Sequence, residues 1–236
     1  MIDVHTHIIP GVDDGSPDLE DSLLMAELSI ESGVDTVIAT PHSHEPGEGQ
    51  REHIRHIKQG FELLREEIRK RKLPLTLWQG MEIYCTSDME ELFENGLVLP
   101  MNGTDHYLIE FPFEAGPERC RRHIRTVLEA GGVPVIAHPE RYTCIQKDPK
   151  EAERWIRMGG LLQINKGSPF GSYGRRARKA AVRMLDAGQV TFVGSDAHSP
   201  YFRTTHMEEI QRFLEEEYSE RTARLLLEEN ARQHFG

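Results

Sequence analysis

Two histidines stand one residue apart near the start of the chain, in MIDVHTHIIPGVDDG. Residues i and i+2 of a strand share a face, so His5 and His7 project together, with Asp13 and Asp14 on the loop behind them. Similar residues recur at the ends of short apolar runs: His42 in ATPH, Glu82 in GMEIY, Glu110 in LIEFP, His138 in VIAHPER, and Asp196 and His198 in VGSDAH. Imidazole and carboxylate donors without cysteine suit zinc, manganese or iron better than a thiolate-seeking metal. A catalytic zinc takes about three protein ligands, and this set is several times larger, so two or three ions are implied. Metal pairs about 3.5–4 Å apart are a common device for cleaving phosphoesters. Arg141 and Arg203 follow His138 and His198 closely, and forked guanidinium groups there suit a phosphate.

The elements that must position these groups show one recurring pattern. An amphipathic helical stretch ends near a glycine, and a β-branched run follows, as in ELSIESGVDTVIATPH, TVLEAGGVPVIAHPE, WIRMGGLLQINKG and MLDAGQVTFVGSDAH. Gly33, Gly131, Gly159 and Gly188 sit where helices are expected to stop. The apolar runs read as buried parallel strands, and strands alternating with helices imply βαβ units. Strands are expected near 2–5, 35–40, 75–82, 106–110, 133–137, 161–164 and 190–195. Helices are expected near 18–32, 51–71, 117–130, 149–158, 174–187, 203–217 and 219–233. The stretch 82–104 reads as a short helix and turn. No linker-like or low-complexity segment appears, so residues 1–236 are expected to form a single domain. In a parallel (β/α) barrel all strand C-termini lie on one face, which carries the active site.

The totals limit the function classes. The chain has 236 residues and a formal net charge of −11. That balance opposes a nucleic-acid partner, which would need a basic footprint, while leaving room for a small anionic substrate at a local cluster of cations. Three widely spaced cysteines, Cys85, Cys120 and Cys144, give no disulfide framework or zinc ribbon and suit a reducing compartment. No signal peptide or membrane-length apolar run is apparent. A cytoplasmic protein without membrane insertion is expected.

A lone histidine is most often an ordinary polar residue. His44, His53, His56, His106, His123, His206 and His234 are read that way, with His53 and His56 taken as solvated on a charged helix. Covalent cysteine catalysis by a phosphatase would need an arginine six positions after the nucleophile. The residues six positions on are Glu91, Thr126 and Lys150, so that chemistry is not expected.

Taken together, MIDVHTHIIPGVDDG, IATPH, GMEIY, LIEFPF, PVIAHPERY and VGSDAH with an arginine five residues on closely resemble the bacterial PHP-fold (polymerase and histidinol phosphatase) tyrosine-protein phosphatases of the CpsB/CapC, or YwqE-like, type. The likeness runs from Met1 to about Asn230. It implies an α/β fold, a distorted seven-stranded (β/α)7 TIM-like barrel, with a trinuclear centre of manganese or iron, zinc being a further option. By this resemblance one ion is held by His5, His7, Glu82 and Asp196. A second is held by Glu82, Glu110 and His138, and a third by Asp14, His42 and His198. Arg141 and Arg203 bind the phosphate, and His42 is a candidate proton donor. The implied substrate is a phosphotyrosine protein, with the C-terminal tail of a bacterial tyrosine kinase governing capsule or exopolysaccharide synthesis as the expected partner.

Three enzymatic alternatives share parts of this pattern. Histidinol phosphate phosphatase would use the same metals on an alkyl phosphate. A barrel amidohydrolase also opens with His-x-His but often carries a bridging lysine on strand four, where this chain has Glu110. A PHP nuclease fits the acidic charge poorly. A non-catalytic phosphotyrosine-binding module would be expected to have lost some of the ligand set or the arginines.

Overall fold

A computed structural model describes residues 1–44 and 49–236 of the chain. In chain order the strands and helices are β1 Ile2–Thr6, α1 Leu19–Glu31, β2 Thr36–Ala39, α2 Gln50–Arg71, β3 Thr76–Gln79, β4 Glu82–Tyr84, α3 Met89–Glu94, β5 His106–Glu110, α4 Pro117–Glu129, β6 Val133–Ala137, α5 Thr143–Lys147, α6 Lys150–Arg157, β7 Leu161–Asn165, α7 Arg175–Asp186, β8 Phe192–Gly194, α8 Glu208–Glu217, α9 Glu220–Arg224 and α10 Asn230–Phe235. Among the described residues every pairing between strands is parallel, as expected for β-branched runs covered by helices on their outer face. Helix starts and stops follow local chemistry. The Asp18 carboxylate accepts from the Asp21 amide at the head of α1. Gly33, Gly131, Gly159 and Gly188 all take positive φ just past their helices.

The strand count departs from the expected seven. Among the described residues eight strands form two sheets, in the orders β1-β2-β3 and β4-β5-β6-β7-β8. The single strand expected over 75–82 is divided at Gly80 and Met81. Its first half pairs with β2 and its second half with β5. Gly80 lies so close to the neighbouring strand that a Cβ there would stand 3.1 Å from side-chain carbons of Ile38 and Thr40. The sheets meet at two seams, through the isolated parallel bridges His42–Glu82 and Thr6–Ala197. At the second seam the Asp196 amide donates to the His5 carbonyl at 2.8 Å, and the His7 amide to that of Ala197 at 2.9 Å. Both seams therefore run through candidate site residues.

Three other expectations are corrected. The helix expected over 203–217 begins only at Glu208, and Arg203 sits in the preceding irregular segment with φ of 51°. The helix expected over 219–233 runs over 220–235 and carries a π-helical turn, Leu225–Glu229, within it. The short α5 was not anticipated.

The strands of both sheets share an apolar floor. Ile2, Val4, Ile38, Leu108, Val135, Ala137 and Phe192 pack with Ala231 and Phe235 of α10. A larger cluster joins the helices to the outer strand faces, with Trp155, Tyr142 and Phe111 among its fully buried members. Among the described residues, no helix is long and apolar enough to cross a membrane.

Candidate metal centre and active site

Every ligand-type residue singled out at a strand end reaches one place. His5 lies on β1 and His7 just beyond it. Glu82 opens β4, Glu110 closes β5, His138 follows β6, and Asp196 and His198 follow β8. Among the described residues three groups of ligand atoms are close enough to share an ion: His5, His7 and Asp196; His7, Asp14, His42 and His198; and His42, Glu82 and Glu110. These groupings overlap the sets implied by the resemblance without matching them one for one. His7 joins the Asp14 group, and His42 takes the place expected for His138 beside Glu110. His138 is nonetheless adjacent, its Nε2 3.0 Å from Glu82 and 3.6 Å from Glu110.

Glu82 is the hub. Its Oε2 lies 3.3 Å from the Nε2 atoms of both His5 and His7 and 3.2 Å from Nδ1 of His42. Although burial opposes its ionisation, the surrounding imidazoles hold its pKa well below the usual carboxylate range. Glu110 shows the opposite behaviour: burial and the neighbouring charge of Glu82 push its pKa up to about 8. Asp14 is held low by hydrogen bonds from His198 and His42, each 3.4 Å from its Oδ1.

The outer contacts fix the tautomers. His5 Nδ1 faces Gln163 Oε1 at 2.9 Å. The Gln163 amide is itself oriented, because its NH2 donates to Ile164 O and Asn165 Oδ1. His5 therefore carries its proton on Nδ1 and points a lone pair from Nε2 into the site. His7 does the same, with Nδ1 at 2.7 Å from Asp13 Oδ2. His198 Nδ1 faces the Asp196 carbonyl at 3.1 Å. Donation of the second ring nitrogen to a carboxylate or carbonyl is the usual support for a metal-ligating histidine. The His5 and His7 Nε2 atoms then face each other at 3.3 Å with carboxylate oxygens around them, a donor set that fits a cation. Without one, protons do that work. Burial would lower His7, but Asp13 outweighs it and raises its pKa to about 9. His42 is pushed up to about 12, burial being overcome by Asp14 and Glu82.

Asp196 joins the ligands to the arginines. Its Oδ2 accepts from Arg141 at 3.1 Å, Arg203 at 2.6 Å and Asn165 at 2.5 Å, while Oδ1 lies 3.6 Å from Nε2 of His5 and of His7. The Arg141 guanidinium is sandwiched by Phe113 and Tyr173, 4.5 and 4.6 Å from the ring centres. His138, Asp196 and Arg203 all have positive φ, an uncommon conformation for residues other than glycine. Such backbone concentrates at functional sites. Tyr142 secures the turn at His138: its hydroxyl donates to Ala137 O at 2.8 Å and accepts from the Phe111 amide at 3.1 Å.

Several contributors have roles that no motif marks. Asp13 orients His7 and also accepts from the His42 amide at 2.9 Å, so the adjacent aspartates divide their work. Gln163, Asn165, Phe113, Tyr142 and Tyr173 had no motif to mark them. Glu140, inside the quoted PVIAHPERY, is buried and accepts from the Asn165 amide and the Ser168 hydroxyl. His53, expected to be solvated, is fully buried and lies 2.9 Å from the His42 carbonyl through Nε2. It lies on the buried face of α2 together with Ile54, Ile57, Phe61, Leu64 and Ile68.

Comparison with known proteins gives the family. The family model for capsular polysaccharide synthesis, CpsB/CapC, matches residues 1–235. The tyrosine-protein phosphatase YwqE of Bacillus subtilis is 34% identical over 228 residues, covering 97% of this chain and 89% of that protein. The tyrosine-protein phosphatase CpsB of Streptococcus agalactiae is 33% identical over 236 residues, covering 98% of this chain and 96% of that one. A solved structure described as YwqE from Bacillus subtilis and CpsB from Streptococcus pneumoniae, unique metal-dependent tyrosine phosphatases, superposes with a TM-score of 0.90 at 32% identity. It covers all of this chain and 94% of the other. With a full-length family match and relatives above 30% identity along nearly the whole chain, this protein belongs to the CpsB/CapC family.

Proposed function

We propose that this protein is a metal-dependent tyrosine-protein phosphatase that hydrolyses phosphotyrosine in a protein substrate. The observation that carries the reading is the placement of Asp196 between two kinds of group. One of its oxygens faces the His5 and His7 lone pairs, and the other accepts from both arginines. A cation-binding pocket and a phosphate clamp thus share one wall. The names of the relatives support the substrate class.

We assign His5, His7, Glu82 and Asp196 to one divalent ion, Glu82, Glu110 and His138 to a second, and Asp14, His42 and His198 to a third, with manganese preferred over iron or zinc. Bound there, such ions supply Lewis acidity toward phosphate oxygens and a water acidic enough to attack near neutral pH. The chain's own groups do the rest. A guanidinium has five N–H donors, so Arg141 and Arg203 keep donors free for the phosphate after bonding Asp196. The aromatic rings on either side of Arg141 hold its plane steady. His42, whose Nε2 faces Asp14 and whose Nδ1 faces Glu82, is our candidate to hold the proton passed to the leaving phenolate. Tyrosinate, with a parent pKa of about 10, leaves without a strong acid.

We read residues 1–236 as one catalytic domain, its two sheets as a distorted PHP barrel, and its setting as cytoplasmic. The proposed physiological substrate is the C-terminal tail of a bacterial tyrosine kinase that controls capsule or exopolysaccharide synthesis. Metal-dependent release of phosphate from a phosphotyrosine peptide, lost on chelation and restored by manganese, tests the reading. Turnover that persists after thorough chelation contradicts it.

A further inference from the structure

The chain is acidic overall, yet its charge is unevenly laid out. Residues 154–185 hold eight of the 28 Lys and Arg and none of the 39 Asp and Glu. Arg154 and Arg157 are paired with acids nearby. The five on α7 are not: Arg175, Arg176, Arg178, Lys179 and Arg183 are exposed, and none makes an ion pair among the described residues. The opposite face of α7 is small and apolar, with Ala177, Ala180, Ala181 and Met184 buried against the body of the protein. Arg175, Arg178, Lys179, Val182 and Arg183 line a shallow surface groove along the exposed face, together with Asp186, the last residue of α7, which accepts from the Tyr218 hydroxyl.

This basic face begins at the catalytic rim. Tyr173, two residues before α7, stacks on Arg141 at 4.6 Å. Tyr173 and Arg203 also line a cavity of about 260 Å³ together with Lys166 and His206. From Arg175 to Arg183 is about 12 Å at 1.5 Å per residue, the span of about four residues of extended peptide. Unpaired cations on a surface so acidic overall would repel one another without an anionic occupant, and like-signed clusters focus the approach of oppositely charged ligands.

Resting on the phosphatase reading above, we propose that the α7 face docks an acidic segment of the phosphotyrosine substrate, flanking the modified tyrosine. The phosphotyrosine enters beside Tyr173, toward Arg141 and Arg203, and carboxylates beside it run along Arg175, Arg178, Lys179 and Arg183. Rim charges of this kind act chiefly on encounter and substrate binding, and salt screens them.

The test compares two phosphotyrosine peptides that differ only in flanking Glu or Gln residues. They are offered to the wild-type, manganese-loaded protein and to a triple variant, Arg175→Gln, Arg178→Gln and Lys179→Gln. Exposed charge pairs are individually modest, so three together should give the wild type about a five- to tenfold lower KM for the Glu peptide at low salt. That preference should vanish in the variant and shrink in high salt, with turnover of p-nitrophenyl phosphate unchanged. The inference is overturned if the wild type does not distinguish the peptides, or if the variant keeps the preference. It is also overturned if the triple variant instead loses binding to vesicles of anionic lipid while its peptide preference stands. Should neither peptide nor p-nitrophenyl phosphate be turned over by the wild type, the phosphatase reading itself fails.

Discussion

The Nε2 atoms of His5 and His7 stand 3.3 Å apart, and each ring carries its proton on the far nitrogen, against Gln163 and Asp13 respectively. Two lone pairs at that distance repel unless something positive lies between or beside them. Glu82 and Asp196 complete the surround, and the pair is held together by a cation or by a proton.

Asp13 is then a positioning residue whose loss should be felt at the metal. Supporting carboxylates of this kind are worth about 10–100-fold in metal affinity or activity. Asp13→Asn is expected to weaken manganese binding by about that factor, with activity recovered at saturating metal. His7→Ala should not recover. Equal affinity in Asp13→Asn and wild type, measured by titration calorimetry, would contradict the assignment.

Metal and protons compete for the same atoms. His7 is raised to about 9 by Asp13 and Glu110 to about 8 by burial and Glu82, so both hold protons at neutral pH without metal. Metal binding should release protons, and affinity should fall as pH drops from 8 to 6. Calorimetry in buffers of different ionisation enthalpy reads the number released; a value of zero at pH 7 would oppose this.

Most of the site could be read from the chain because a parallel α/β fold collects strand C-termini on one face. His5, Glu110, His138 and Asp196 were placed by that rule alone. What could not be read was of three kinds. Gln163, Asn165 and Tyr142 act through contacts across 25 or more residues, which periodicity does not encode. His53 lies on the buried face of α2 beside Ile54 and Ile57, at an end of that face where a polar residue among charges reads as solvated. The break at Gly80 depends on a close approach to Ile38 and Thr40, and a β-branched run reads the same with or without it. The late start of α8 has a related cause: Arg203 is tied into the site by its bond to Asp196 and by its carbonyl, which accepts from the His198 amide at 3.0 Å. Local helix propensity yields to those contacts.

Arg141 depends on its two rings. A cation over an aromatic face at a partly exposed site is worth about 0.5–1 kcal/mol. Tyr173→Leu should therefore raise KM for an aryl phosphate by about two- to fivefold with little change in kcat. Arg141→Lys loses both the fork and the stacking and should cost at least about tenfold in kcat/KM. An unchanged KM in Tyr173→Leu would remove the ring from this role.

His123, on α4 beneath Phe111, gives a stability prediction away from the site. Its ring stacks on Phe111 with centres 6.3 Å apart, and Nε2 is buried without a partner. Burial lowers its pKa to about 4 from an ordinary 6.5, with Arg119 and Arg122 adding to the shift. Between those values the unfolded chain binds the proton more readily, so folding stability declines as pH falls through that window. His123→Phe should flatten the decline in urea titrations between pH 6.5 and 4. An identical slope in both proteins would show that His123 titrates normally.

The measurement that bears most directly on the central claim is hydrolysis of a phosphotyrosine peptide against histidinol phosphate, with manganese present and after chelation. The wild type and a Cys85→Ala, Cys120→Ala, Cys144→Ala variant would be run side by side. The account predicts metal-dependent cleavage favouring the peptide, retained without cysteines and abolished by the chelator. Preference for histidinol phosphate, or cleavage that survives chelation but not cysteine removal, would contradict it.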